Sequence, residues 1–217
     1  MTIRIPNGSL IHMGTVYGAT KAMSAVSNAD PGVATLEASH GIATGEIFEV
    51  LTSGWSRLDG KVIKAGTVAT NDVPLAGVNT TSTSIYAAGS GVGTVREVST
   101  WVQITQILDS NSNGGEQQFY EYQLLEADAQ RRIPTVKTAY GLTLTVGDDA
   151  SLAGYSALES ANDDRSQRAV RVTFPDGSKL YFSAIWTLNK MPSLTVNTAM
   201  ALQVTLSLLN EPMRYTS

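Results

Sequence analysis

Between residues 200 and 208 apolar and polar side chains alternate without a break. Met200, Leu202, Val204, Leu206 and Leu208 hold one parity, and Ala201, Gln203, Thr205 and Ser207 the other. A period of two predicts a β-strand with one face in a core. The opposite face is polar enough for water yet nearly chargeless, unlike the Lys- and Glu-studded faces that keep ordinary sheets from pairing at their edges. Such a face predicts a neighbour, either another subunit or an enclosed cavity. Residues 142–146 repeat the arrangement, with β-branched Thr143 and Thr145 on the polar side.

The same reading predicts the other elements. Residues 1–35 read as an arm and a first strand that end in the turn signal Asn28-Ala29-Asp30-Pro31-Gly32. A strand over residues 47–50 sets Phe48 and Val50 inward and Ile47 and Glu49 outward. Asp59-Gly60 then predicts a type I′ hairpin turn, in which both central residues need positive φ. Residues 71–94, rich in Asn, Thr, Ser and Gly, predict a loop that orders in an assembly. Strands over residues 101–108 and 119–126 bracket a polar loop and read together as a long projecting hairpin. One helix is predicted over residues 150–162, capped by Asp148-Asp149, with Leu152, Tyr155 and Leu158 as its apolar stripe. Residues 169–174 and 180–186 flank Pro175-Asp176-Gly177-Ser178 as a second hairpin. The expectation is a single mainly β domain over residues 1–217. It comprises an arm and first strand (1–35), a β insertion and loop (36–94), and core sheets with one flanking helix (95–217).

Composition sharpens this picture. Charged residues are 16% of the chain, against about 25% in typical soluble domains. That scarcity fits a repetitive structural subunit better than an enzyme. A net charge of −4, from 19 acidic and 15 basic residues, supplies no global positive field for gripping nucleic acid or an anionic membrane. With no Cys there is neither disulfide nor thiolate, so stability comes from packing or assembly. No stretch approaches the ~20 apolar residues of a membrane span, and MTIRIPNGSLIHMG lacks a cationic leader before an apolar block. Cytosolic synthesis is expected, so the sequons at Asn7 and Asn79 carry no weight.

Candidate chemistry is sparse. Asp109-Ser110-Asn111-Ser112-Asn113-Gly114 imitates the first half of an EF-hand loop, but Tyr120 stands where the twelfth-position Glu is needed and strands flank it. An Asx-rich hairpin tip fits better. Residues 89–94 lack the Lys and the Gly spacing of a phosphate loop. His12 and His40 have no partners at ligand spacing, and the acidic pairs Asp148-Asp149 and Asp163-Asp164 sit at the two ends of the helix as caps. Tyr120 and Tyr122 could form a base-stacking platform, yet without a basic groove they read as core aromatics. No cofactor or metal is implied.

Four segments carry a family resemblance: SHGIATGEIFEVLTSGWSRLDGKVIKAG, EQQFYEYQLLEADAQRRIPTVKTAYGLTLTVGDDASLAGYSALESA, RVTFPDGSKLYFSAIWTLNKMPSLTVN and ALQVTLSLLNEPMRY. In this order they resemble the tail tube (major tail) proteins of bacteriophages with long non-contractile tails. The resemblance implies a β-sandwich, barrel-like fold with one flanking helix and long hairpin loops. It also implies hexameric rings, stacked into a hollow tube in the host cytoplasm, through which phage DNA passes without specific binding. The implied partners are further copies of the chain and the tail tip initiator, tape measure and tail terminator proteins, with no membrane. On this resemblance, Gln103, Thr105, Glu121, Gln123, Thr143 and Thr145, which alternate with core residues, are the expected lumen-facing positions. Asp109, Ser110, Asn111, Ser112, Asn113, Gly114, Gly115 and Glu116 are the expected inter-ring loop. The competing readings are another self-assembling or adhesive β protein, such as a virion decoration or pilus-like subunit, and a small β-rich hydrolase. The hydrolase needs a clustered His or carboxylate site that the strand phases do not supply.

Overall fold

The computed structural model describes residues 5–216. Fifteen strands and one helix follow in chain order. They are β1 (Leu10–Tyr17), β2 (Lys21–Val26), β3 (Val33–Leu36), β4 (Ile47–Ser53), β5 (Val62–Lys64), β6 (Asp72–Pro74), β7 (Gly93–Ile104), β8 (Ile107–Asn113), β9 (Gln117–Tyr122), β10 (Arg131–Lys137), β11 (Gly141–Gly147), α1 (Ala153–Asp164), β12 (Gln167–Thr173), β13 (Lys179–Asn189), β14 (Ala201–Leu208) and β15 (Met213–Tyr215). The fold is mainly β and antiparallel throughout. Two strands by residue 26 replace the expected arm and single strand, and β1 lies inside the main sheet between β7 and β12.

The main sheet runs β7-β1-β12-β13-β14-β11-β8. Only Thr105 and Gln106 separate β7 from β8, although these are the two ends of that order. Three Cα steps span at most about 11 Å, so the sheet curls until its ends nearly meet. Inside the curl, Met13, Ile104, Leu144, Val170, Phe182, Trp186, Leu202, Val204 and Leu206 form one core, closed by Leu158 and Ala161 of α1. The alternations over residues 142–146 and 201–208 produce this core, as the sequence predicts. The 169–174 and 180–186 segments pair as β12 and β13 around the predicted turn. The helix starts later than predicted. Leu152 is its N-cap with no side-chain bond, while Asp149 instead accepts from the N–H and hydroxyl of Ser151 in the preceding turn.

The long strand β7 joins this sheet to a second unit. Its N-terminal half pairs β2 and β4, and β3, β5 and β6 complete a small β layer around Phe48, Leu58, Ile63, Leu75 and Val95. Asp59-Gly60 is no tight hairpin. Only Gly60 of the pair has positive φ, and residues 54–61 form a wider connection that buries Trp55. Trp55 donates to the Ala87 carbonyl at 2.9 Å and meets Tyr86 edge to face, while Asn28 holds the carbonyls of Thr80 and Tyr86. The segment after β6 is therefore ordered within one subunit, with no assembly needed.

The second unit packs on the main sheet through Val62, Val98, Ala169 and Tyr181, and through one buried ion pair. Glu49, predicted to face outward, is fully buried, because β4 has a sheet on each side. Its Oε2 accepts from Arg96 Nε at 2.8 Å and Nη2 at 2.7 Å, and its Oε1 accepts from the Ser183 hydroxyl at 2.5 Å. Arg96 also donates to the Gln167 carbonyl and lies 3.7 Å from the centre of the Tyr17 ring.

Tyr17 itself donates to the Gly14 carbonyl and accepts from the Ala169 N–H. Burial, and then the Glu49 charge, push its pKa up to about 12. A raised value means that folding favours the protonated phenol. The associated stability, about 2–3 kcal/mol, is fully present below pH 10 and is lost as pH climbs from 10 to 12. Tyr17→Phe removes both hydrogen bonds and should lose stability at pH 8, and because it has no phenol to ionise its urea midpoint should fall less than the parent's between pH 10 and 12. Parallel midpoints would show that Tyr17 does not govern the alkaline transition.

Candidate functional site

The second unit covers only part of the outer face of the curled sheet. Beyond Ser183 the face is open, and strand register fixes its pattern. Thr145 lies opposite Gln203, which lies opposite Asn189. Thr143 lies opposite Thr205, which lies opposite Thr187. Gly141 lies opposite Ser207, which lies opposite Ile185. The row continues onto β8, where Asn111 faces Thr143 and Asp109 faces Thr145. Opposed residues in antiparallel strands share a face, so hydroxyls and amides tile this surface, with Asp109 its one charge at the edge. Among the described residues no strand pairs the outer edge of β8, which therefore ends the sheet as an open edge.

The predicted lumen-facing residues divide on this map. Thr143 and Thr145 lie at the centre of the open face. Gln103 is on the same side but several strands away, opposite His12, which in turn is opposite Arg171. There burial and the Arg171 charge lower the pKa of His12. Thr105 falls in the link between β7 and β8 and lines the crevice beneath α1 with Leu152 and Tyr155. β7 ends at Ile104, so its alternation does not extend to Thr105. Glu121 and Gln123 are off the sheet. Glu121 pairs with Arg132 at 2.6 Å, and Gln123 donates to the Ala127 carbonyl in the turn.

The predicted polar loop is also different. Asp109, Ser110, Asn111, Ser112 and Asn113 belong to strand β8, paired to β11, and only Gly114, Gly115 and Glu116 link it to β9. Both faces of β8 are exposed from Leu108 onward, so the sequence shows no apolar period there. The projecting hairpin comes next. Among the described residues β9 and β10 pair only with each other. Their tip is residues 123–130. Gly114 (φ +81°) and Gly115 (φ +79°) aim the ribbon, and a Cβ on Gly114 would lie 1.9 Å from the Ala139 carbonyl oxygen.

This ribbon is apolar on the outside. Phe119, Tyr120, Ile133 and Val136 are each at least half exposed, and Leu125 at the tip is fully exposed. Tyr120, exposed, and Tyr122, half-buried, stack with centroids 6.5 Å apart outside either core, contrary to the core packing expected of them. An isolated two-stranded ribbon is marginal in water, so one coated with large apolar side chains points to burial against another molecule.

Among the described residues no three of His, Cys, Asp and Glu gather where a metal ion could sit. His40 is held between the Thr70 carbonyl and the Ile42 N–H as a turn residue, and Asp163 and Asp164 pair with Lys190 and Arg168. Among the described residues no helix is long and apolar enough to cross a membrane. A sheet face whose one charge is Asp109 at the edge, an open strand edge and a projecting ribbon with large apolar side chains exposed define a structural subunit that joins other subunits.

Comparison with known proteins agrees. The phage tail tube protein (TTP) family matches residues 53–217, about three quarters of the chain, and the chain belongs to that family. It is thus a structural protein of the phage virion tail. Among solved structures it is similar to a chain of the anti-feeding prophage baseplate, determined by cryo-electron microscopy with 6-fold symmetry. The identity is 8%, with 55% of this chain and 86% of that chain covered and a TM-score of 0.39. No curated protein matches it.

Proposed function

We propose that this chain polymerises as stacked hexameric rings into the hollow tube of a long non-contractile tail, assembled in the host cytoplasm, through which the genome is ejected. The observation that carries the reading is the open face of β13, β14, β11 and β8, tiled with Thr, Ser, Asn and Gln and ending at an open strand edge. Edge pairing between copies would close such faces into one wall, with Thr143 and Thr145 toward the lumen and, more peripherally, Gln103. Thr105, Glu121 and Gln123 occupy other surfaces. In this reading β8 and its glycine link, residues 109–116, carry the ribbon toward an adjacent ring. The tip initiator, tape measure and terminator proteins are the remaining partners.

A wall with no cation and a single carboxylate suits passage of DNA. Non-specific binding with dissociation constants of ~10⁻⁴ to 10⁻⁶ M is worth about 5–8 kcal/mol for each ring, and many such rings would hold the genome fast. A conduit must leave phosphate alone.

Electron microscopy of concentrated recombinant protein tests the reading. Hollow tubes are expected, and a persistent monomer at all concentrations would overturn it. A double Thr143→Lys, Thr205→Lys variant adds two cations per copy to the proposed wall. It should still form tubes, which now retain short duplex DNA at low salt and release it as salt rises. Loss of tubes in this variant would instead place the two threonines between subunits.

A further inference from the structure

The curled sheet has two ends, and they differ. At one, α1 lies over the core. At the other the core is open, and Leu142, Leu180, Phe182 and Leu208, with Tyr140 and Pro212 at the rim, line a cavity of about 260 Å³ whose walls carry no charged side chain. The connection between β13 and β14 is the counterpart. Residues 191–200 contain no charge, and Met191, Leu194 and Val196 are each more than 70% exposed. Leu180 is the second residue of β13 and the connection follows its last residue, Asn189, so the cavity and the loop lie roughly 30–35 Å apart along one strand. A subunit cannot fill its own cavity.

We propose that residues 191–200 of one copy seat in the open core mouth of the next, as an axial plug and socket. The contact joins two different surfaces, so it repeats without closing on itself, which is the geometry of a growing filament. A second copy fits better than other occupants because both surfaces are uncharged and apolar and face opposite ways along the same strand. A docked charge would find no partner among the cavity's walls. The inference rests on the self-stacking reading above but names a contact that could fail independently of it.

The chain has no Cys, so introduced thiols are unique. Leu194→Cys and Leu180→Cys are prepared separately, mixed and mildly oxidised, with Leu208→Cys as a second socket variant in case Leu180→Cys does not fold. The disulfide-linked heterodimer is expected to exceed either homodimer at least tenfold, and the double variant Leu194→Cys, Leu180→Cys to give a ladder of oligomers on non-reducing gels. Dominant Leu194→Cys homodimers, meaning that two loops meet each other, would overturn the plug and socket. So would a mixture that stays monomeric with both socket variants. Tubes without the heterodimer sink this contact alone, whereas heterodimers without tubes uphold it and sink the tube.

Discussion

Excising residues 116–137 and joining Gly115 to Thr138 through a short Gly/Ser link should leave a folded subunit that no longer assembles. The cut is local. The Gly115 N–H donates to the Thr138 carbonyl at 3.1 Å, so the ribbon leaves and rejoins the body at one point. Among the described residues β9 and β10 pair with no other strand, and the ion pair between Lys137 and Glu211, lost with the ribbon, is solvent-exposed and contributes little. The expected far-ultraviolet spectrum and melting temperature are therefore close to the parent's. Assembly is another matter. Fully burying an exposed large apolar side chain is worth about 1.5–3 kcal/mol, so covering Phe119, Tyr120, Leu125, Ile133 and Val136, which start half to fully exposed, contributes about 5–10 kcal/mol per copy. Its loss raises the concentration needed for assembly by a factor of about 10³ or more. Light scattering and electron microscopy read this directly. Normal tubes from the shortened chain would show that the ribbon is dispensable.

The second large effect is expected inside the subunit. Arg96→Ala leaves the Glu49 carboxylate fully buried between two sheets, with the Ser183 hydroxyl as its remaining side-chain hydrogen bond. Breaking a buried pair from one side costs about 3–5 kcal/mol, because the remaining charge is neither solvated nor paired. Since the pair stands at the junction of the two core units, the variant should show a lower urea midpoint and faster hydrogen exchange in β4 and β5 than in β13 and β14. A loss under about 1 kcal/mol would mean that water reaches Glu49 once the guanidinium is gone.

How much of this was legible in the sequence depends on what each segment buries. Where one face meets a core and the other does not, as in β11 and β14, alternation specified both the strand and the sidedness of its side chains. The β12–β13 turn was equally plain, because Pro175 and Gly177 leave few other conformations. Legibility failed at three kinds of place. Glu49 alternates as an outward residue, yet its strand lies between two sheets, and a charge whose partner is 47 residues away leaves no local signal. β8 has solvent on both faces, so it has no apolar period and reads as loop. The β7 alternation carried one residue further sets Thr105 on the polar face, but the strand stops at Ile104 and Thr105 lines the crevice under α1. The one cue to the exposed ribbon was its composition, since large apolar residues with no facing apolar strand are either core or interface, and periodicity does not separate the two.

The glycine pair at the base of the ribbon has a consequence for how such subunits can be altered. Gly114 cannot carry a side chain without meeting the Ala139 backbone, so the exit angle is set by the chassis, whereas the hairpin beyond it makes no demand on the body's core. A hairpin from a different chain of this kind can thus be spliced onto the same mount, changing which molecules a copy recognises while its interior stays untouched. Compatibility between parts then becomes a matter of exchanging one cassette of about twenty residues.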